Sequence, residues 1–142
     1  MFNHLSVASA FSFKYGTTQP HDLVARAAQF GAPALAITDR DSLAGVIRFV
    51  QAAKDFGIAP IVGVNLALDN SRVTLLAQSG TGTDSGWRSL CRLMSALRPD
   101  RNPPTLHLEK IKTLSEYTSN LILLHGPDSQ IANLITKHRP DQ

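Results

Sequence analysis

The sequence predicts an α/β protein, and three of its features do so. Short apolar runs of strand length alternate with longer segments whose apolar residues recur at helical spacing. The first two helical segments each end on a glycine, Gly31 and Gly57, and a strand-like run begins within three residues of each. The connections are short, and short links between alternating strands and helices argue a mainly parallel sheet.

Taken in order, Phe2 to Val7 reads as a first short strand that runs into a Ser-rich turn. In "TTQPHDLVARAAQFG", Thr18 is the expected N-cap and Pro20 stands in the first turn. Leu23, Ala27 and Phe30 of that segment share a face at helical spacing. "ALAIT" (34–38) is a buried-type strand, and the turn "DRDS" leads into a second helix over 42–57, with Leu43, Ile47 and Val50 inward. "IAPIVGVNLAL" (58–68) is a long apolar strand, and Asp69-Asn70 turns it into "RVTLLAQ" (72–78) as the other arm of a hairpin. "SGTGTDSG" (79–86) lacks the spacing of a phosphate cradle and reads as a connector. "WRSLCRLMSAL" is amphipathic, with Trp87, Leu90, Cys91, Met94 and Leu97 as one stripe, which makes Cys91 a core residue. "RPDRNPP" breaks the chain. "LEKIKTLSEY" then reads as a short helix, "NLILLHG" as a strand and "DSQIANLITKH" as a last helix.

Bulk composition narrows the function classes. The chain has 142 residues, 43% hydrophobic and 18% charged, which is enough for one domain with a core. No apolar run reaches the ~20 residues of a membrane span, and no signal peptide opens the sequence. Cys91 is the single cysteine, which excludes an intramolecular disulfide and a cysteine zinc site; a reducing cytoplasm is the expected home. The net charge of +3 is spread along the chain, apart from a loose group of Arg88, Arg92, Arg98 and Arg101. Arg88 and Arg92 fall opposite the apolar stripe, so a solvated helix face explains them better than a nucleic-acid contact. The five histidines (His4, His21, His107, His125 and His138) are scattered. His125 alone falls near the expected rim, where hydrogen bonding suits it better than metal ligation.

In α/β folds, chemistry collects at the carboxyl ends of strands. Those ends hold Ser6, Ala8 and Ser9, then Thr38-Asp39-Arg40-Asp41, then Asn65, with Arg72 opening the next strand. A hydrolytic metal centre needs several histidines and carboxylates converging, and Asp39 alone cannot hold an ion. Asp39 also suits a structural role as a helix cap, and Asp41 or Ser42 could cap the same helix. Arg40 and Arg72 either face solvent or pair with Asp39. Pairing is favoured, because a buried carboxylate needs partners.

The blocks "HLSVASAFSFKYG", "LVARAAQFGAPALAITDRDSLAG", "IAPIVGVNLAL", "VTLLAQ", "GWRSLCRLMSAL" and "LILLHGPDS" carry a resemblance. In order and spacing they resemble the N-terminal PHP (polymerase and histidinol phosphatase) domain of the alpha subunit of bacterial DNA polymerase III. The "HLxxASxFSxxYG…TDRD" form looks similar to the error-prone branch of alpha-type polymerases. The resemblance implies a distorted (β/α) barrel, of which residues 1–142 would be the N-terminal part, with no polymerase domain present. It also implies metal ligands at positions that here hold Ser6, Ala8, Arg40, Asn65 and Arg72. Only Asp39 keeps a ligand's chemistry.

The expected function is therefore a non-catalytic PHP-type domain of a DNA-directed DNA polymerase engaged in replication or translesion repair. It would use no cofactor or metal and have no catalytic residue. Its partners would be the rest of the polymerase chain or holoenzyme subunits, with DNA reached through the parent protein and no membrane. An incomplete barrel leaves a sheet edge that could drive self-association. The rival reading is a metal-dependent phosphoesterase or 3′–5′ exonuclease with residual activity, and a third is an anion-binding module built on Arg40 and Arg72.

Overall fold

The computed structural model describes residues 2–69, 71–79, 85–98, 104–107 and 120–126. Its elements are α1 (Pro20–Gln29), β1 (Ala34–Ile37), α2 (Val46–Asp55), β2 (Ala59–Leu68), β3 (Ser71–Ala77), α3 (Gly86–Ala96), β4 (Thr105–Leu106) and β5 (Leu121–Leu124). The helices expected over 108–117 and 128–138, with His138 and Arg101, lie outside the described residues. So does most of the expected connector at 79–86.

The ten-residue β2 organises the sheet. Its first part pairs in parallel with β1, from Ala34 opposite Ala59 to Ile37 opposite Val62. Its last two residues pair in parallel with β4. Gly63 to Leu68 form the expected hairpin with β3, and β3 pairs antiparallel with β5. The sheet is thus mixed rather than mainly parallel, because the Asp69–Ser71 turn returns the chain directly where a crossover helix would have kept it parallel. Alternation along the strands gives the sheet two faces. Val64, Leu66 and Leu68 of β2, with Val73 and Leu75 of β3, pack against Leu90, Leu93 and Met94 of α3. A second cluster joins Val24 of α1, Leu35 and Ile37 of β1 and Phe49, Ala52 and Ala53 of α2, and Leu43 and Val62 touch both clusters.

The two glycine stops share one mechanism. Gly31 and Gly57 have φ of 67° and 68°, a conformation that costs glycine little. After α1, the Gly31 N–H donates to Ala28 O (2.8 Å) and the Ala32 N–H to Ala27 O (3.0 Å). After α2, Gly57 and Ile58 repeat the pattern on Lys54 and Ala53. Both are Schellman endings that satisfy carbonyls the helix leaves open.

Several sequence expectations are corrected. Phe2 to Val7 form no regular strand: the segment lies beside β1, with Ala36 N–H on His4 O and Thr38 N–H on Val7 O. The Thr38 hydroxyl, not a backbone carbonyl, takes the Val7 N–H at 2.9 Å, which breaks the ladder. Gln19, not Thr18, is the N-cap of α1; its side chain makes no capping bond, and Pro20 at the first helical position leaves one fewer N–H without a partner. The buried residues of α1 are Pro20 and Val24, and Leu23 and Ala27 pack partly buried against the same cluster, while Phe30 is 69% exposed, with the Arg26 guanidinium over its ring. In α2 the buried face is Val46, Phe49, Ala52 and Ala53. Ile47 is 70% and Val50 37% exposed, and Leu43 precedes the helix, which begins after Gly45. The apolar residues of 42–57 nearly surround the cylinder, so periodicity alone chose the wrong third of it. In α3, Leu93 belongs to the core, Trp87 is 38% exposed and Cys91 is partly buried at the helix edge. Ser85 caps α3 by accepting the Arg88 N–H.

Candidate functional site

The loop between the first segment and α1 folds back over the end of β1. The Ser12 N–H donates to Ser9 O, and the Tyr15 and Gly16 N–H groups donate to Ser12 O. Gly16 makes this closure possible, since a Cβ there would lie 1.9 Å from Ser9 O.

Asp39 is buried beneath this loop. Its Oδ1 accepts the Ser9 N–H (2.6 Å) and the Ser12 hydroxyl (2.7 Å), and its Oδ2 accepts the Ser9 hydroxyl (2.8 Å). Ser12 Oγ in turn accepts the Arg40 N–H at 2.9 Å. Neither arginine pairs with Asp39, and it does not cap α2. Its charge is met by three donors on the adjoining loop, which lie nearer than any guanidinium. Gly45 packs directly against it, because a Cβ there would come within 2.9 Å of both Oδ2 and the Phe11 ring.

Beyond Asp39 the chain makes a parallel bridge between Arg40 and Asn65. The Asn65 N–H donates to Asp39 O and the Asp41 N–H to Asn65 O, each at 3.0 Å. Asp41 then turns away with φ of 54°, and its Oδ1 takes the Ala67 N–H as the strand leaves. Arg72, opposite Ala67 on β3, lies on the same face of the hairpin as Asn65 and Thr74. Its guanidinium donates to Asn65 Oδ1, to Asn65 O (2.7 Å) and to Asp41 Oδ1 (2.8 Å). Asn65 Nδ2 donates to Thr74 Oγ1 at 2.9 Å. Arg98, just past α3, donates to Asp41 O.

These contacts leave a small polar cavity of about 70 Å³ lined by Ser6, Ala8, Tyr15, Thr38, Arg40 and Asn65. Of the six positions singled out in sequence, Ser6, Ala8, Arg40 and Asn65 meet in it. Asp39 is turned inward and Arg72 is bound to its neighbours. Tyr15 and Ser12 are the residues sequence reading missed. The Arg40 guanidinium carbon lies 3.4 Å from the centre of the Tyr15 ring, a cation–π contact.

The donor set does not suit a metal ion. Among the described residues no group of three histidines, cysteines or carboxylates converges. Both oxygens of Asp39 already accept hydrogen bonds, Asp41 holds Arg72, and among the described residues that line the cavity the one charged side chain is a cation. His125, exposed at the end of β5, has Nδ1 against Gly126 O.

A family model described as PHP domain matches residues 4–141. The chain belongs to the PHP domain family. An error-prone DNA polymerase of Symbiobacterium thermophilum is 43% identical over 103 residues, 72% of this chain and 9% of that protein. The DNA polymerase III subunit alpha of Buchnera aphidicola subsp. Acyrthosiphon pisum is 36% identical over 141 residues, 94% of this chain and 12% of that protein. The chain therefore spans roughly a tenth of the length of these relatives. A candidate metal-dependent phosphoesterase from Bifidobacterium adolescentis has a crystal structure that covers 80% of this chain and 38% of its own, with TM-score 0.49 and 23% identity. The mixed α/β sheet is that of a PHP-type fold, and no described helix is long and apolar enough to cross a membrane.

Proposed function

We propose that this PHP-family chain is a non-catalytic domain of a DNA polymerase III alpha-type polymerase, of the replicative or the error-prone kind. It serves the parent protein as a structural unit and as a contact surface for the rest of the polymerase chain or for holoenzyme subunits. It works in the cytoplasm, in replication or repair synthesis, and meets DNA only through the parent. The observation that carries this reading is the state of Asp39, the one ligand-type residue among the pocket positions. Both its oxygens accept hydrogen bonds from Ser9 and Ser12, and it is not among the described residues that line the cavity where Arg40 stands. A hydrolytic metal centre needs open coordination positions and several anionic or imidazole donors, and a guanidinium at its edge opposes it.

The test is metal content and hydrolysis together. The chain is dialysed against zinc or manganese, freed of loose ions and measured by elemental analysis, then assayed on a phosphodiester with either metal added. Well under one equivalent of metal and no turnover are expected. Two or three retained ions with metal-dependent hydrolysis would establish the rival phosphoesterase reading.

A further inference from the structure

The loop of residues 9–16 has an outer side that the cavity does not use. Phe11, Phe13 and Tyr15 alternate along it, and a cation lies over each ring: Arg48 over Phe11 (5.6 Å), Lys14 over Phe13 (5.5 Å) and Arg40 over Tyr15. Arg40 and Tyr15 line the cavity, whereas Phe11, Phe13, Lys14 and Arg48 are not among its lining residues. Phe11 is seated against Gly45 at the start of α2. Phe13 stands out in solvent, 85% exposed, more than any other large apolar side chain among the described residues. The loop that carries it is held in shape. The Ser12, Tyr15 and Gly16 N–H groups bond back to Ser9 and Ser12, the Ala10 N–H donates to Thr18 O (2.8 Å), and Asp39 clasps both serines. A side chain presented on a backbone already fixed loses less freedom when a partner arrives. A protruding aromatic of this kind has the character of an interface anchor.

Charge narrows the partner. Residues 1–21 contain no acidic side chain, Asp39 is taken by the serines and Asp41 by Arg72. Lys14, Arg40 and Arg48 therefore stand around the loop with no carboxylate paired to them among the described residues. Three cations would also draw nucleic acid, but a stacking platform needs successive open rings. Here Phe11 is partly buried and Tyr15 faces a guanidinium at 3.4 Å, which leaves Phe13 alone. One open ring with a cationic rim suits apolar side chains bordered by carboxylates. We propose that this outer side, with Phe13 as anchor and Lys14 and Arg48 as rim, docks an acidic amphipathic helix of a protein partner. The helix lays its apolar stripe over Phe13 and turns its carboxylates to the cations. The proposal rests on the reading of this domain as a contact surface within a polymerase, and it names the surface and the partner's chemistry.

The probe is a synthetic helical peptide of about 18 residues, with a leucine stripe and glutamate and alanine elsewhere. Its twin carries lysine for every glutamate, and a thymidine oligonucleotide serves as the nucleic-acid arm. Each is titrated into the intact chain and followed by calorimetry and amide chemical shifts. Saturable binding of the acidic peptide alone is expected, with shifts at residues 11–15 and 48, and it should weaken as salt rises. Phe13→Ser should weaken it about tenfold or more, while Phe13→Trp should keep it. Arg48→Glu should weaken it several-fold. Phe13 and Arg48 are both exposed, so these variants should melt with the wild type, which separates lost docking from lost fold. No saturable binding of the acidic peptide, equal binding of its basic twin, preference for the oligonucleotide, or binding unchanged by Phe13→Ser overturns the proposal. None of these results touches the metal-free reading of the pocket, which elemental analysis decides separately. Retained metal with hydrolysis would overturn that reading even where the peptide docks.

Discussion

Asp39 shows how one residue's surroundings decide its role. An acid at a strand end can be a ligand, a cap or a clasp, and here it clasps the 9–16 loop to β1 through Ser9 and Ser12. Removing the carboxylate strands three donors, two of them on buried side chains, and unsatisfied buried groups cost roughly 1–3 kcal/mol each. Asp39→Ala should therefore lower unfolding stability by about 3 kcal/mol or more, and Ser12→Ala by about 1–2 kcal/mol, as read from urea denaturation. An Asp39→Ala variant as stable as the wild type would mean that the loop does not hold the carboxylate in solution. Cys91 makes a separate prediction. Burial pushes its thiol above the ordinary value, so less thiolate is present at a given pH. Alkylation near pH 8 should be slower than that of a free cysteine peptide and should rise at higher pH. A rate equal to the peptide's would place the thiol fully in solvent.

The helix ends allow two glycines to be compared at the scale of the element. Gly57 is needed for its backbone conformation alone: φ is 68° and a Cβ there would meet nothing within 4 Å. Gly57→Ala should cost only the left-handed penalty, about 1 kcal/mol. Gly45 has an ordinary φ of −80° and is needed for space, because a Cβ would press on Asp39 Oδ2 and Phe11. Gly45→Ala should cost about 1–3 kcal/mol by overpacking. It should also move the amide shifts of Ser9 and Ser12, which Gly57→Ala should leave in place. Thermal melts and amide spectra of the two variants separate these mechanisms. Equal spectra from both would remove the packing argument.

At the scale of the whole molecule, β5 ends the described sheet. It pairs with β3 on one side, and its Ile122 and Leu123 are 42% and 36% exposed. Open strand edges with apolar side chains template association. The sedimentation coefficient of the wild-type chain should rise with concentration, and Ile122→Lys should suppress that rise while leaving the fold intact by circular dichroism. A concentration-independent monomer would show that this edge is covered in solution.

The alternation of elements, the glycine stops and the β2–β3 hairpin were all legible in the sequence. Each depends on residue type and on spacing within about a dozen positions, which local sterics and hydrophobic periodicity govern. The buried faces of α1 and α2 were legible only in part: Leu23, Ala27 and Leu43 do pack against the core, but apolar residues such as Ile47 and Phe30 also occur on the outward side, and only tertiary packing selected Val24 and Phe49. The pairing of the charges was likewise a tertiary outcome. Asp39 meets serines 27 and 30 residues away, and Arg72 meets Asp41 at a separation of 31. Such contacts are set by how the loop closes at Gly16 and how the chain turns at Asp41. Opposite charges in a list are all possible partners. In the folded chain each takes the donor or acceptor that the backbone has already brought within hydrogen-bond reach, and Arg40 is left with a cavity.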